Sequence, residues 1–176
     1  MKSAFAALAA LGLTALATPA AAEITASSDS GFMLTFQQHV STSPAEAQAK
    51  FGEIGQWWNA DHTYSGVGSN LSIALEAGGC FCERWGENSV EHARVIAVMA
   101  HQGTRTIRLQ GALGPLQSMG VMGILTLTLA PEGSGTNIAM TYRVTGSPGM
   151  RLEEMAVPVD GVLLEQFRRF ASYTNS

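Results

Sequence analysis

The sequence predicts an α+β protein: a curved antiparallel sheet of about six to seven strands around a long C-terminal helix, with two short helices after the first strand. The helix comes from residues 152–173, where Leu152, Met155, Val159, Val162, Leu163, Phe167 and Phe170 recur at steps of three and four. Those steps draw one apolar stripe, and Glu153, Glu154, Asp160, Glu165, Arg168 and Arg169 mostly occupy the remainder. The sheet comes from consecutive alternating segments joined by turns, above all residues 121–129 and 136–144 around Pro131-Glu132-Gly133-Ser134-Gly135. The short helices come from Ser43-Pro44-Ala45-Glu46, in which Ser43 caps, Pro44 fits the first turn and Glu46 completes a capping box.

Ahead of these elements, Lys2, an apolar run over residues 4–17 and small residues at Ala20 and Ala22 make the pattern of a secretory signal, with cleavage expected after Ala22. The run is too short and too rich in alanine for a membrane anchor, so no membrane span is expected in the mature chain. Removing the first 22 of 176 residues leaves 154, enough for one domain with a substantial core. Loss of Lys2 moves the formal charge from −4 to −5 and leaves no basic run, which argues against nucleic acid and anionic membrane surfaces as partners. The expected address is therefore periplasmic or secreted. Residues 23–30 are small and polar and read as a flexible leader, with the domain spanning residues 31–176.

Within the domain, Phe32, Leu34, Phe36 and Val40 alternate as a first strand. Ala47, Phe51, Ile54 and Trp58 follow at helical steps, with Gly52 and Gly55 dividing the helix in two. Residues 59–70 read as a loop, and Leu71, Ile73 and Leu75 as a short strand. Strands over residues 80–85, 90–99 and 104–110 come next, and the glycine- and proline-rich segment 111–120 is a bend. Leu125, Leu127 and Leu129 are expected to oppose Ile138, Met140, Tyr142 and Val144 on the buried face. Pro158 and Gly161 predict a kink or a second segment in the terminal helix, whose Met155, Val159 and Val162 face inward.

This layout resembles the START-like, or SRPBCC, superfamily, whose helix-grip fold wraps an antiparallel sheet around a terminal helix. Ser43-Pro44-Ala45-Glu46, Gln56-Trp57-Trp58, Gly78-Gly79 before a strand and the Gly133-Ser134-Gly135-Thr136 turn resemble the polyketide cyclase-like and heat-shock ATPase-activator-homologue branch. His62-Thr63-Tyr64-Ser65-Gly66, Gly79-Cys80-Phe81-Cys82-Glu83 and Leu113-Gly114-Pro115-Leu116-Gln117 are similar to an exported bacterial subgroup of it. The resemblance implies a protein that binds hydrophobic or aromatic small molecules, lipids or partner proteins, in which catalysis is optional.

Cys80 and Cys82 sit two residues apart on a strand, so regular geometry spaces their Cα atoms by roughly 6.6 Å and points both side chains the same way. That is the outer limit for a disulfide. The alternatives are two small buried residues, a soft-metal site for copper or zinc completed by His62, and a strained bond. The expectation is two reduced, buried thiols. Phe81, Glu83 and Trp85 share the other strand face, where Glu83 either lines a pocket as an acid or base or pairs with Arg94 or Arg108 outside it. His62 and Tyr64, beside Trp57-Trp58, suit a pocket entrance. Neither a Ser-His-Asp set, a phosphate loop, a dinucleotide fingerprint nor four-ligand zinc spacing is present, and no cofactor is expected.

The sequence thus reads first as a binder of a small hydrophobic or aromatic ligand, held between sheet and helix by Trp57, Trp58, His62, Tyr64, Phe81, Glu83, Trp85, Met155, Val159 and Val162. The alternatives are a cyclase or isomerase using Glu83 with His62 or Tyr64, and a protein-interaction module.

Overall fold

The computed structural model describes residues 21–176. Most of the signal-like segment, residues 1–20, lies outside the described residues. In chain order the elements are β1 (Ala21–Ser28), β2 (Gly31–Val40), α1 (Pro44–Gly52), α2 (Ile54–Trp57), β3 (Leu71–Ile73), β4 (Cys80–Trp85), β5 (Asn88–His101), β6 (Thr104–Gln110), β7 (Met122–Glu132), β8 (Gly135–Thr145) and α3 (Glu153–Thr174). The strands form one antiparallel sheet in the order β1-β2-β8-β7-β6-β5-β4-β3. The chain leaves β2 near one edge and crosses through α1 and α2 to β3 at the other. α3 returns over the same face, with Leu152, Leu163, Phe167 and Phe170 buried.

Two expectations change at the N-terminal end. Residues 23–30 are not a loose leader, because Ala21–Ser28 pairs with β2 as an edge strand and brings the sheet to eight strands among the described residues. The backbone ladder needs no apolar side chains at an edge, and Ile24 packs against the core. Cleavage after Ala22 therefore falls inside β1 rather than ahead of the fold.

Local chemistry explains the other boundaries. Ser43 Oγ accepts from the Glu46 amide at 3.3 Å while the Ser43 amide donates to Glu46 Oε2 at 3.2 Å, so the capping box closes on both sides. The β7–β8 hairpin is tighter than five residues: Glu132 pairs with Gly135, leaving Gly133-Ser134 as the turn and Gly133 at φ 56°. Leu125, Leu127 and Leu129 face the core with Ile138, Met140, Tyr142 and Val144, all buried. α3 runs unbroken through Pro158, which sits on an exposed face and needs no second segment. Upstream of α3, the Leu152 amide donates to Asp29 O at 3.0 Å and Gly149 N to Asp29 Oδ2 at 2.9 Å, anchoring the helix start on the β1–β2 turn.

Candidate functional site

Near its N-terminal end α3 stands away from β4 and β5, leaving a cavity of about 430 Å³ between helix and sheet. The sequence-named Trp58, His62, Tyr64, Phe81, Met155, Val159 and Val162 line it, together with Thr63, His92, Pro158, Leu163 and the segment Leu113-Gly114-Pro115. The wall is largely apolar. Tyr64 stands at the mouth, 53% exposed, and its hydroxyl reaches Gln117 Oε1 at 3.3 Å and Gly114 O at 3.4 Å, joining two loops across the opening.

Polar clamps hold these walls apart. From α3, Gln166 Oε1 accepts from the Asn59 amide at 2.8 Å, and Glu165 takes Asn59 Nδ2 at 2.6 Å and pairs with His62 Nε2 at 3.2 Å. Arg169 Nε donates to Trp57 O at 2.7 Å. The loop after α2 is thereby fastened to the helix one to two turns beyond the cavity. On the opposite wall, Tyr142 from β8 donates to Gly111 O at 3.1 Å and accepts from the Leu113 amide at 3.0 Å, which sets Leu113 in place. Burial pushes the Tyr142 hydroxyl up to about 12, despite the opposing pull of the Leu113 amide, so it stays protonated and can serve both bonds. Gly123 permits this approach, since a Cβ there would collide with Gly111 O and Tyr142 Oη.

Behind the cavity wall lies a buried ion-capable pair. Glu83 has no exposed surface, yet it accepts from Ser65 N at 2.6 Å, Tyr64 N at 3.0 Å and His92 Nε2 at 3.0 Å. Burial pushes its carboxyl up, but the hydrogen bonds from Ser65, Tyr64 and His92 outweigh this and hold it below the usual carboxylate value. Burial pushes His92 down, and the attraction of Glu83 offsets only part of that. Glu83 is therefore the charged member and His92 the neutral one. The imidazole is 4.8 Å from the Phe81 ring and stacks on Tyr64 at 5.8 Å.

His92 is the residue that sequence reasoning missed, because alternation along β5 does not place it. The pairing runs Phe81 with Ala93 and then Cys82 with Glu91, so His92 is the extra residue of a β-bulge. Consecutive residues His92 and Ala93 are consequently both buried. No sequence signal marks the bulge, although alternation places Glu83 on the same strand face as Phe81, and the structure buries both.

Three residues named for the site lie elsewhere. Trp57 is core, its indole donating to Lys50 O at 3.1 Å and packing on Phe170 at 5.2 Å. Glu83 lies behind the lining, bonded to His92 and to the Tyr64 amide, and it pairs with neither Arg94 nor Arg108. Trp85 ends β4 half-buried, away from the cavity.

The expectation of two reduced thiols is corrected: Cys80 and Cys82 are joined in a disulfide, with Cα atoms 5.4 Å apart. Regular strand geometry overstates that span, because Cys80 is the first residue of β4 and the β4–β5 register shifts between Phe81 and Cys82, so the strand is not regular there. Nor does His62 complete a metal set with them. It bonds Glu165 at the cavity mouth, whereas the group beside the sulfurs is Glu91, 3.9 Å from Cys80 Sγ and paired with Arg94.

No family model matches the chain, and no curated protein matches it in sequence. Solved structures do match it. Ara h 8.0201 aligns with TM-score 0.54 at 12% identity, over 82% of this chain and 97% of its own. The STAR-related lipid transfer protein from Xanthomonas axonopodis gives 0.51 at 10%, over 88% and 99%. The fold is the helix grip that these structures share. A norcoclaurine synthase point mutant from Thalictrum flavum, in complex with a transition-state analogue, shares this helix grip, with TM-score 0.52 at 12% identity over 85% and 97%. In the chain described here, the helix grip encloses its cavity under the first half of α3.

Proposed function

We propose that this protein is an exported binder of a small hydrophobic or aromatic molecule, which occupies the cavity under α3. The observation that carries the reading is the cavity itself: about 430 Å³, walled by Trp58, Phe81, Leu113, Met155, Val159 and Val162. A space of that size with apolar walls and a few polar groups is what ligand sites in proteins provide. Lipid transfer by one structural neighbour, and a bound transition-state analogue in another, support small-molecule binding in this fold. Export to the periplasm or medium is supported by the signal-like segment 1–22 and by the Cys80–Cys82 disulfide, which suits an oxidising compartment.

Binding of the uncharged dye Nile red tests the reading, with native mass spectrometry of protein purified from its own host to reveal the resident molecule. Val159→Trp should fill the cavity and reduce dye binding at least about tenfold while the protein stays folded. Equal dye binding by the two proteins would mean that the cavity is not the site.

A further inference from the structure

The cavity wall has an uneven distribution of polar groups. Phe81, His92 and Leu163 are its buried members, and His92 is the only polar one among them. At the exposed mouth, Tyr64 is bonded to Gly114 and Gln117, Thr63 Oγ1 donates to Ala60 O at 2.8 Å, and His62 Nε2 is engaged by Glu165. Among the buried members, His92 spends Nε2 on Glu83, and among the described residues that is the ring's one hydrogen bond, leaving Nδ1 unengaged.

The protonation of that atom follows from its neighbours. Glu83 receives two backbone amides and the imidazole, an arrangement that requires the carboxylate. The proton in the His92–Glu83 bond therefore sits on Nε2, and in a neutral ring Nδ1 is then a lone-pair acceptor. No arginine or lysine lines the cavity, and the nearest full charge behind the buried wall is the negative Glu83.

We propose that His92 Nδ1 selects the ligand's polar group, so that the cavity takes an uncharged aromatic molecule bearing a hydroxyl or comparable donor and rejects its carboxylate analogue. This rests on the binding reading above and adds the ligand's class. A hydroxyl gains an acceptor that the Glu83 bond already orients. A plain hydrocarbon leaves Nδ1 without a partner, and a carboxylate meets both a lone pair and the field of Glu83 in a site of low dielectric.

Three probes of one shape decide the matter: naphthalene, 2-naphthol and 2-naphthoate, titrated at about pH 7.5, where an imidazole of ordinary or lowered pKa is neutral. The wild-type protein should bind 2-naphthol at least about fivefold more tightly than naphthalene, and more tightly still than 2-naphthoate. In His92→Phe, which keeps an aromatic ring beside Tyr64 and Phe81, the advantage of naphthol over naphthalene should shrink to within about twofold. Tightest binding of naphthoate, equal binding of naphthol and naphthalene, or a naphthol preference that survives in His92→Phe would each overturn the proposal while leaving the cavity as a binding site. Failure of all three probes together with Nile red would overturn the binding reading as well. Should the variant not fold, nitrogen NMR of the wild-type imidazole replaces it. Naphthol, and not naphthalene, must then shift the Nδ1 resonance, and an unmoved resonance overturns the proposal.

Discussion

From Leu163 onward α3 lies on aromatic residues. Phe167 meets Phe36 at 5.7 Å between ring centroids, and Phe170 meets Phe51 at 5.3 Å and Trp57 at 5.2 Å. Only about 20 Å³ is left empty there, roughly what one water needs. Before Leu163 the same helix buries Leu152 and Ala156 on one flank, but on the other presents Met155, Val159 and Val162 to a cavity of about 430 Å³. Both halves belong to one apolar stripe. What separates them is the partner: the packed half meets large rings from β2, α1 and α2, and the open half faces loops that Glu165, Gln166 and Tyr142 hold at a distance. A continuous stripe can therefore serve stability at one end and binding at the other.

The sharpest way to break this comparison is to truncate one residue in each half. Phe167→Ala should cost about 3–5 kcal/mol, because the ring is fully buried and leaves a hole. Val159→Ala should cost under about 1 kcal/mol, since the side chain already borders open space. Urea denaturation of both proteins checks the pair, and equal losses would mean that the halves are packed alike.

Next in size is Tyr142→Phe, which should cost about 1–3 kcal/mol by leaving Gly111 O and the Leu113 amide without their bonds. The same variant should weaken Nile red binding, because Leu113 forms part of the cavity wall. Unchanged stability together with unchanged dye binding would show that the hydroxyl does not set that wall.

Reduction of the Cys80–Cys82 disulfide should matter less, below about 2 kcal/mol, as the bond closes a very short loop. A thiol reagent on the unfolded protein should count no thiols before reduction and two after. Two thiols without reduction would restore the reading of free cysteines.

The buried pair adds a graded pH dependence. His92 has its pKa lowered from 6.5, chiefly by burial, so the unfolded chain binds a proton more readily than the native one. Glu83 is also lowered from its usual 4.5, the hydrogen bonds outweighing burial, so its contribution is present above that value and is lost as pH falls through the folded pKa. Both effects have the same sign. Stability should fall on acidification, beginning near pH 6.5, and His92→Phe should flatten the first part of the curve. A wild-type melting temperature that rises between about pH 6.5 and 5 would contradict this assignment.

Much of the architecture follows from short-range pattern alone. The stripe from Leu152 to Phe170, the alternation of Leu125-Leu127-Leu129 against Ile138-Met140-Tyr142-Val144, and the Ser43–Glu46 capping box depend on residues within one element or one hairpin. Periodicity and local hydrogen bonding are sufficient to specify those. Cavity residues on α3 were legible for the same reason, since the stripe gave their direction, whereas His62 and Tyr64 were named from their residue types beside Trp57-Trp58. The β1 strand was not, because an edge strand is defined by the neighbour that pairs with it, and residues 23–28 carry little of a strand's apolar pattern.

The decisive feature of the site was settled by long-range pairing. One extra residue in β5 turns His92 inward beside Ala93 and sets its Nε2 against Glu83. The sequence by itself determined a sheet, a long amphipathic helix and the apolar stripe that helix would bury. Only the tertiary structure decided where helix and sheet part and that His92 lines the space between them. The physical reason is that a bulge and a cavity belong to the fit between elements, and no single element's periodicity encodes that fit.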